Sequence, residues 1–531
     1  MNKKYYIITL FVIIYNTIAY SQTIGLLYHS LESSEGYTLF TPSSNHEVFL
    51  VNNCGETVNQ WTFNETPGLT CYLLENGNLL RAGRNYLETR DWDNNIVWSF
   101  NMQSAGYSQH HDIEPLPNGN VLCLLSRSYT KAEMIALGKD PNYIDDYFKL
   151  DEIVELQPNG INSAIEVWKW EFTNRFIQDY NPTKSNFGVV SEHPELIDIN
   201  YNNLTTDIIH LNSINYNPIL DQVLISARHM NEFYIIDHST TTAEAAGHSG
   251  GLYGKGGDIL YRWGNPAAYQ QGTASDQRLF LQHDVRWIPT GYADEGKITV
   301  FNNGGYGALS QSSIHIITPD VISGVYQMQN SRFLPNEFEW SWQGSILGTS
   351  VHEARKSGTH ALPNGNIMVC ETGDGRISEL KKDGTLVWSY KNPTGANGII
   401  YNQNETNLNI NDIFRGDKYP ANYIGFNGKD LTPTGIIENE NSVSTDCINS
   451  LDILESELQH ITITNPVANN LLQFNTAVML DLVTVYNLNG QVVAQYQNIN
   501  SHQIELNIPP SLYILEVKKD DTVHYRKMVV K

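Results

Sequence analysis

Basic residues are scarce in this chain: 33 Lys and Arg stand against 57 Asp and Glu among 531 residues, a formal net charge of −24. That balance disfavours a nucleic-acid groove or an anionic membrane surface as the main partner, because both require clustered positive charge. Any bound anion must be held by a local basic cluster. Charged residues make up only 17% of the chain, and Asn, Gly and aromatic residues are plentiful, which favours short strands and turns. We expect an all-β protein.

Long apolar runs are also missing, apart from one near the amino terminus. Lys3 and Lys4 precede an apolar run over residues 5–14, which is about half of the roughly 20 residues that a helix needs to span a bilayer. A membrane anchor is therefore the weaker interpretation. The segment predicts a secretory signal over residues 1–21, with cleavage before Gln22.

Cysteine is rare as well, and the five residues are Cys54, Cys71, Cys123, Cys370 and Cys447. An odd number in an exported chain leaves at least one thiol unpaired. Cys54 and Cys71 are close in sequence and are the best candidates for a disulfide. The spacing of the five residues fits no metal site.

What the sequence does contain is repeated phrases. An Asn-Gly pair between apolar runs occurs in "YLLENGNLLRAG" (72–83), "EPLPNGNVLCLL" (114–125) and "HALPNGNIMVCE" (360–371). Such a pair is a strong hairpin signal, and we expect both residues to take positive φ. The three phrases predict the same hairpin in three structural units.

A second repeated feature is a tryptophan at the end of each unit. Six such sites are Trp61, Trp98, Trp168 with Trp170, Trp263, Trp340 with Trp342, and Trp388. They predict a β-propeller with six four-stranded blades over residues 22–440, although imperfect repeats leave seven or eight blades as alternatives. The long intervals between the middle sites must carry loops, and loops on one face of a propeller are where a binding site is built.

The composition changes after residue 440. Residues 441–456 are polar and predict a linker, and residues 457–531 alternate as strands do, which predicts a small C-terminal β-sandwich.

Four candidate site residues lie beside predicted inner strands: His111, His210, Arg228 and His283. Three imidazoles and one guanidinium near the propeller axis would form a cationic pocket for an anion. Each also has a structural interpretation, since a single His at a strand end is commonly just hydrogen-bonded and Arg228 could pair with Asp221 or Asp237. Asp112 and Asp284, which directly follow two of these histidines, are expected to bind turn amides.

The chemistry of such a pocket is limited by what else the sequence lacks. No G-x-S-x-G motif and no cysteine in an electropositive context occurs, so a nucleophile would have to be a histidine. Three imidazoles could instead hold zinc or another transition metal. A permanently charged Arg228 in the same pocket would repel that metal, so we expect no metal.

Four longer motifs resemble the bacterial arylsulfate sulfotransferases. They are "HHDIEPLPNGNVL" (110–122), "IIHLNSINYNPILDQVLISAR" (208–228), "GGDILYRWGNPAAYQQG" (256–272) and "LFLQHDVRWIPTGYADEGKITVFNNGG" (279–305). The second contains His210, Asn212 and, 18 residues after His210, Arg228, in a pattern similar to that of the family. The resemblance covers about residues 45–430.

The resemblance implies a six-bladed propeller that transfers a sulfuryl group from an aryl sulfate donor to a phenolic acceptor. It implies a ping-pong reaction through a sulfated His283, with no nucleotide sulfate donor, metal or diffusible cofactor. His111, His210, Asn212 and Arg228 would hold the anion, and His110 is an alternative to His111. The family also has a further hydroxyl donor, for which the sequence offers Ser357, Thr359 or His360 without a clear choice.

The C-terminal segment is similar to the sorting domain of type IX secretion substrates, in "NP" (465–466), "VYNLNGQVV" (485–493), "LYILEV" (512–517) and "KMVVK" (527–531). It departs from that pattern at Ser511 and Leu512, where a glycine is usual. The similarity implies recognition by the type IX machinery and a location outside the cell or on the outer-membrane surface, reached through the periplasm. Two other functions remain open: a ligand-binding propeller without catalysis, and a sulfate-ester hydrolase that uses water as acceptor.

Overall fold

The computed structural model describes residues 22–304, 311–405, 408, 410–439 and 447, and towards the C-terminus 463, 467, 470–474, 480–487, 490–499, 503–519 and 522–531. The predicted signal and, apart from Cys447, the predicted linker lie outside these residues. Two compact units are present, residues 1–442 and 443–531. The chain is all-β as expected, and no helix in its described part is long and apolar enough to cross a bilayer.

The first unit contains six antiparallel sheets of four or five strands. In hydrogen-bonded order, sheet 1 is Ile413–Pro420, Gly36–Pro42, Glu47–Asn52, Glu56–Thr62 and Gly435–Ile436. Sheet 2 is Pro67–Leu73, Leu79–Gly83, Tyr86–Arg90 and Ile96–Asn101, and sheet 3 is Gln109–Pro115, Val121–Thr130, Tyr147–Asn159 and Ser163–Glu171. Sheet 4 is Leu211–Asn217, Gln222–Ala227, Glu232–Asp237 and Ile259–Trp263. Sheet 5 is His283–Trp287, Ile298–Asn302, Ser313–Ile317 and Trp340–Trp342, and sheet 6 is Gly358–Ala361, Ile367–Glu371, Arg376–Leu380, Leu386–Lys391 and Gly25–His29.

Shorter elements lie in the connections. Four two-stranded ladders pair Phe176–Ile177 with Ile197–Asp198, Val321–Ile322 with Val325–Tyr326, Met328–Gln329 with Arg332–Phe333, and Ser345–Ile346 with Thr349–Ser350. The α-helices are Lys131–Ala136 and Thr242–Ala245, and each begins with a Thr capping box. The 3₁₀ helices are Phe172–Asn174, Val190–Glu192, Tyr201–Asn203, Arg228–Met230, Pro266–Tyr269, Ala274–Asp276, Ala396–Gly398 and Ile424–Phe426.

The first-named strands of the six sheets contact one another in a circle. Each touches the first strand of the next sheet, from sheet 1 through sheet 6, and the first strand of sheet 6 touches that of sheet 1. We call these the inner strands. The six inner strands therefore surround one central axis.

The two ends of this unit interlock. The N-terminal strand Gly25–His29 pairs with Leu386–Lys391 as the outermost strand of sheet 6. The C-terminal strand Ile413–Pro420 pairs with Gly36–Pro42 as the inner strand of sheet 1. Each of these two sheets is thus built from both ends of the unit.

The predicted tryptophan sites all lie in outer strands. In each sheet one indole N–H donates to a backbone carbonyl of the following sheet over 2.6–3.1 Å, and the six pairs are Trp61 to Asp91, Trp98 to Ser163, Trp170 to Gly257, Trp263 to Pro335, Trp340 to Lys382 and Trp388 to Asn53. A buried indole N–H needs such an acceptor, because leaving it unpaired costs about 1–3 kcal/mol. The repeated tryptophan therefore joins neighbouring sheets around the whole circle.

The Asn-Gly turns differ in one respect from the prediction. Gly77, Gly119 and Gly365 take positive φ of 80°, 87° and 86°, whereas the preceding asparagines do not. In the first turn the amide of Gly77 donates to the carbonyl of Leu74 at 2.8 Å. This is the longer hairpin loop in which a type I turn is followed by one left-handed glycine, so the expectation of two positive φ angles was wrong.

The disulfide expected between Cys54 and Cys71 is wrong. Cys71 is a free, buried thiol in the inner strand of sheet 2, and burial raises its pKa. Cys54 is disulfide-bonded and so is Cys447. Cys54 lies in the turn between two outer strands of sheet 1, away from an inner strand, so closeness in sequence did not bring it to Cys71.

The second unit has its own small sheets. Its four-stranded antiparallel sheet is Val492–Ile499, Leu480–Tyr486, Ser511–Lys519 and Thr522–Val530, and a ladder pairs Leu471–Gln473 with Gln503–Glu505. An apolar cluster that includes Val483, Leu515 and Met528 forms its core. The β-sandwich itself stays a prediction.

Candidate active site

The structure places the five predicted site residues on neighbouring inner strands. His111 belongs to the inner strand of sheet 3, Asn212 to that of sheet 4, and His283 begins that of sheet 5. His210 directly precedes the inner strand of sheet 4. Arg228 directly follows its partner strand, and its backbone N–H donates to the carbonyl of His210 at 3.1 Å. The spacing of 18 residues is thus the length of one hairpin.

His111 and His210 face each other across the gap between sheets 3 and 4. Their Nε2 atoms are 3.1 Å apart. The Nδ1 atom of His210 is 2.7 Å from a carboxylate oxygen of Asp207, so in the neutral ring Nδ1–H donates to Asp207 and Nε2 accepts from His111. Both histidines have positive φ, 61° and 55°, a strained backbone of the kind found at functional sites.

His111 has no carboxylate on its other nitrogen. Its Nδ1 is buried and has no hydrogen-bond partner in the described part of the chain. Burial lowers the pKa of His111 well below its ordinary value, and the neighbouring His110, His210, His283 and Arg415 lower it further. His111 is therefore neutral over the physiological range.

His283 is held in one orientation by hydrogen bonds at both ring nitrogens, and Nδ1 also lies 3.1 Å from the carbonyl of Leu281. Its Nδ1–H donates to Oδ1 of Asn303 at 2.8 Å, and its Nε2 accepts from the backbone N–H of Lys356 at 3.1 Å. The residue is only 2% exposed. Burial holds its pKa well below the ordinary value; the bond to Asn303 opposes this, and the charge of Arg228 adds to it. His283 is thus neutral, with its lone pair on Nε2.

Arg228 is fixed by a residue that the sequence motifs did not single out. Its Nη1 donates to Nε2 of His229 at 2.7 Å, and His229 Nδ1–H donates to the carbonyl of Asp207 at 2.6 Å. The two suggested carboxylate partners have other contacts: Asp221 binds His238 and Asp237 accepts from Ser239.

Asn212 links sheets 4 and 5 directly beside His283. Its amide nitrogen donates to the carbonyl of Gln282 at 2.7 Å. Its Oδ1 is buried and has no partner among the described residues. Part of the donor capacity expected of Asn212 is therefore used to position the strand that carries His283.

His110, the alternative to His111, has a different environment. Its Nδ1 is 2.6 Å from Oδ1 of Asp151. Burial lowers the pKa of His110, but Asp151 more than offsets this and holds the pKa above its ordinary value. His110 lies beside both His111 and His210, with ring centroids 4.3 Å and 4.9 Å away, so all three rings belong to one cluster.

The three residues offered as a hydroxyl donor are all engaged elsewhere. Ser357 Oγ donates to Thr372 Oγ1 at 3.2 Å, and Thr359 Oγ1 donates to the carbonyl of Met368 at 2.7 Å. His360 Nε2 accepts from the backbone N–H of Lys418 at 3.4 Å. The group that reaches His283 from this segment is the backbone amide of Lys356.

The sequence predicted that Asp112 and Asp284 bind turn amides. Both do bind backbone amides, but these amides lie in strands of neighbouring sheets. Asp112 Oδ2 accepts from the N–H of Ile214 at 3.1 Å, and Asp284 Oδ2 accepts from that of Thr359 at 2.8 Å. A Cβ on Gly358 would lie 2.2 Å from Asp284 Oδ2, so only glycine permits this approach. Each carboxylate thus fixes the inner strand beside its own.

Two overlapping groups in the described part of the chain could geometrically hold a metal ion: His110, His111 and His210, and Asp207, His210 and His229. Arg228 contacts His229 within the second group. Its permanent charge disfavours a dication in that second group.

The sequence is similar to one known family. The family described as Arylsulfotransferase (ASST) matches residues 72–393, more than half of the chain. No curated protein is significantly similar to the chain.

Solved structures match the chain at low sequence identity and low TM-score. A protein of unknown function from Bacteroides caccae is 13% identical, with 67% of this chain and 93% of that chain covered and a TM-score of 0.37. Virginiamycin B lyase from Staphylococcus aureus is 11% identical, with 70% and 85% covered and a TM-score of 0.33. The Cps50 (Swd1) β-propeller domain of Myceliophteria thermophila is 10% identical, with 71% and 91% covered and a TM-score of 0.36.

Proposed function

Because the chain belongs to the arylsulfotransferase family, we propose that it moves a sulfuryl group from an aryl sulfate ester to a phenolic acceptor through a sulfated His283. The observation that carries this proposal is the environment of His283. Asn303 holds the proton on Nδ1, burial keeps the ring neutral, and Arg228, His210 and Arg415 act on it electrostatically and lower its pKa further. A neutral, oriented imidazole is the form that attacks sulfur.

The first half-reaction forms a bond between His283 Nε2 and sulfur and breaks the bond between sulfur and the aryl oxygen. Arg228 and His111 supply N–H donors for the sulfuryl oxygens. The Lys356 amide, which occupies Nε2 in the free protein, releases it when the donor binds and then donates to a sulfuryl oxygen. This amide takes the place of the expected hydroxyl donor.

The departing phenolate needs a proton, and His210 is the best placed acid. Asp207 accepts the Nδ1–H of His210 at 2.7 Å, which holds the ring in one orientation with Nε2 as the nitrogen that carries the transferred proton. His111, which has no carboxylate partner in the described chain and a strongly lowered pKa, is poorly suited to that role. His210 Nε2–H therefore protonates the leaving oxygen.

The second half-reaction reverses these steps. The acceptor phenol gives its proton to His210 Nε2, its oxygen attacks sulfur, and the bond between sulfur and His283 breaks. Atoms and charge balance without a metal or a diffusible cofactor. The two aryl groups occupy the same place in turn, which makes the reaction ping-pong.

We propose that the six sheets are the blades of one propeller. The circle of contacts between inner strands and the six tryptophan bonds between successive sheets support this number. The interlocked ends of sheets 1 and 6 would close the ring.

We also propose export through the periplasm by the type IX machinery, with recognition of the C-terminal unit. Removal of residues 441–531 should leave the protein in the periplasm of the producing bacterium, and full-length protein should reach the surface or the medium. N-terminal sequencing of the exported protein should begin at Gln22. Full-length protein that stays in the cytoplasm would contradict both expectations.

The function is tested with the full chain and a chromogenic aryl sulfate, with and without added phenol. Wild type should release the chromophore faster when phenol is present, and the protein quenched during turnover should carry a sulfuryl group on His283. His283→Ala should abolish both signals. His315→Ala is the matched control, because His315 is another buried, neutral histidine of sheet 5, and its ring nitrogens bind the hydroxyls of Ser313 and Ser341.

Other outcomes separate the competing functions. Release that phenol does not stimulate would indicate a hydrolase with the same site. Binding of aryl sulfates without release would indicate a binding propeller. Release that survives His283→Ala would contradict the proposed nucleophile.

A further inference from the structure

One buried side chain joins the two His-Asp pairs. Arg415 Nη1 donates to Asp112 Oδ2 at 2.7 Å, and its Nε lies 3.0 Å from Asp284 Oδ1. These carboxylates directly follow His111 and His283. Arg415 is 5% exposed and comes from the inner strand of sheet 1, so it reaches across the axis to sheets 3 and 5.

The same guanidinium also holds the strand between them. Its Nη2 donates to the backbone carbonyl of Asn212 at 2.9 Å. Asn212 in turn donates to the carbonyl of Gln282, the residue before His283. One fork of nitrogens therefore contacts the three consecutive inner strands that carry the candidate site.

We propose that Arg415 is a positioning residue for the sulfuryl-transfer site, which fixes His111 and His283 relative to each other by clamping Asp112, Asp284 and Asn212. Only the catalytic consequence of this inference rests on the proposed function. The contacts of Arg415 with the three strands do not depend on that function. The inference gives a reason why the His-Asp pair occurs twice: each Asp binds a backbone amide of a neighbouring inner strand, and both carboxylates lie against Arg415, by a hydrogen bond at Asp112 and by an ion pair at Asp284, which also accepts from Arg286 at 2.6 Å.

An arginine is required at this place. Its planar fork presents separate nitrogens at fixed angles, and its charge persists at any working pH. A lysine offers one compact charge that cannot reach three acceptors on three strands. A 1 Å displacement of a reacting group can cost roughly 10²-fold in rate, so loss of the fork is expected to reach the chemistry.

The charge of Arg415 also acts on the two imidazoles. It lowers the pKa of His111 and of His283. The other charged or titratable groups around it come from sheets 1, 2, 3, 5 and 6 and are Asp112, Asp284, Arg286, Asp417, Tyr72, Glu114 and His360. Replacement of Arg415 by a neutral side chain leaves Asp112 and Asp284 with less positive charge, which favours protonation of both imidazoles.

The test compares Arg415→Met and Arg415→Lys in the full chain, with imidazole titrations followed by NMR of ¹⁵N-labelled histidine. Arg415→Met should raise the titration midpoints of His283 and His111. Arg415→Lys keeps a charge and should shift them less. This readout does not depend on turnover, so it stands even if the protein has no activity on aryl sulfates.

With an active wild type, Arg415→Met should lower kcat roughly 10²-fold and move the acid limb of the pH profile to higher pH, with a small effect on KM. Arg415→Lys should lower kcat and move the acid limb less than Arg415→Met does. Arg376→Met and Arg376→Lys are the controls, because Arg376 is a buried arginine that binds Glu371 through two bonds of 2.7 Å within sheet 6. They should reduce stability and leave kcat and the histidine midpoints unchanged.

The proposal is overturned if folded Arg415→Lys and Arg415→Met keep wild-type kcat per folded molecule and wild-type histidine midpoints. If Arg415→Met does not fold, the same measurements are made on Arg415→Lys and on the double variant Asp112→Asn with Asp284→Asn. The double variant removes the negative charge of both carboxylates. Unchanged midpoints and kcat in these variants would reduce Arg415 to a structural ion pair.

Discussion

Trp388 and Asn53 are 335 residues apart in sequence, yet the indole N–H of Trp388 donates to the carbonyl of Asn53 at 2.8 Å. This bond joins sheet 6 to sheet 1. Trp388→Phe keeps an aromatic ring and removes the donor. The free energy of unfolding should fall by about 1 kcal/mol, measured by urea denaturation of the full chain.

Trp98→Phe is the matched control, because Trp98 makes the corresponding bond between sheets 2 and 3. A similar loss in both variants would show that every joint contributes alike. No loss in Trp388→Phe would show that the closing bond contributes nothing to stability.

The bond between Asp207 and His210 predicts a dependence on the leaving group. Asp207→Asn removes the carboxylate that holds His210 in its orientation, so departure of a poorly stabilised phenolate should slow roughly 10²-fold. A nitrophenolate needs little protonation and should be affected far less. The measurement is the slope of log kcat against the pKa of a series of leaving phenols.

Asp151→Asn is the control for that series, since Asp151 holds the neighbouring His110 in the same way. A steeper slope in Asp207→Asn alone identifies His210 as the acid. A steeper slope in Asp151→Asn alone would transfer the role to His110 and contradict the assignment made above.

Asn303 predicts the pH dependence of the nucleophile. Asn303→Asp keeps an oxygen acceptor for Nδ1–H of His283 and adds a negative charge, which stabilises the protonated imidazole. Because the pKa of His283 is strongly lowered in the wild type, the acid limb of its activity profile should lie well below neutral. In Asn303→Asp this limb should move to higher pH. An unmoved limb would mean that another group controls it.

Two histidines outside the candidate site predict opposite effects of pH on stability. His238 binds Asp221 through Nδ1 at 2.8 Å and Glu155 through Nε2 at 2.9 Å. Burial opposes its charged form, but the two carboxylates raise its pKa. Its stabilising effect is thus full below the unfolded pKa of about 6.5 and is lost as pH rises through the folded pKa. His238→Phe should cost about 2 kcal/mol near pH 5 and less above neutral.

His315 is the contrasting case. Burial lowers its pKa to about 3, so the folded protein keeps the ring neutral while the unfolded chain binds a proton below about 6.5. The wild type should therefore lose stability as pH falls through this range, and His315→Phe should remove that part of the loss. Chemical denaturation at pH 5, 7 and 9 checks both histidines; the same pH dependence in the two variants would contradict this account.

Local patterns in the sequence were enough to predict the strands, the turns and the repeated tryptophans. Asn-Gly pairs and alternating apolar residues report on a few neighbouring positions, and the spacing of His210 and Arg228 is one hairpin long. The same kind of pattern placed His111 and His283 at predicted strands, because each lies beside an apolar run. Their roles stay predictions.

Contacts between distant segments were beyond that reasoning. Arg415 lies 303 residues from Asp112, and nothing in its strand marks it as different from other charged residues. Asp151 and Asp207 were missed for the same reason, although His229, directly after Arg228, could have been found. The disulfide of Cys71 was predicted wrongly because Cys71 lies in an inner strand, whereas Cys54, although close in sequence, lies in an outer turn.

The interlocked ends have a consequence for the growing polypeptide. Sheet 1 obtains its inner strand only when residues 413–420 have left the ribosome, and Arg415 arrives with that strand. A nascent or truncated chain therefore lacks the cation on which both His-Asp pairs meet, however well its other sheets have folded. The pocket is therefore completed only after residue 420 has been made, later than the strands that carry its histidines.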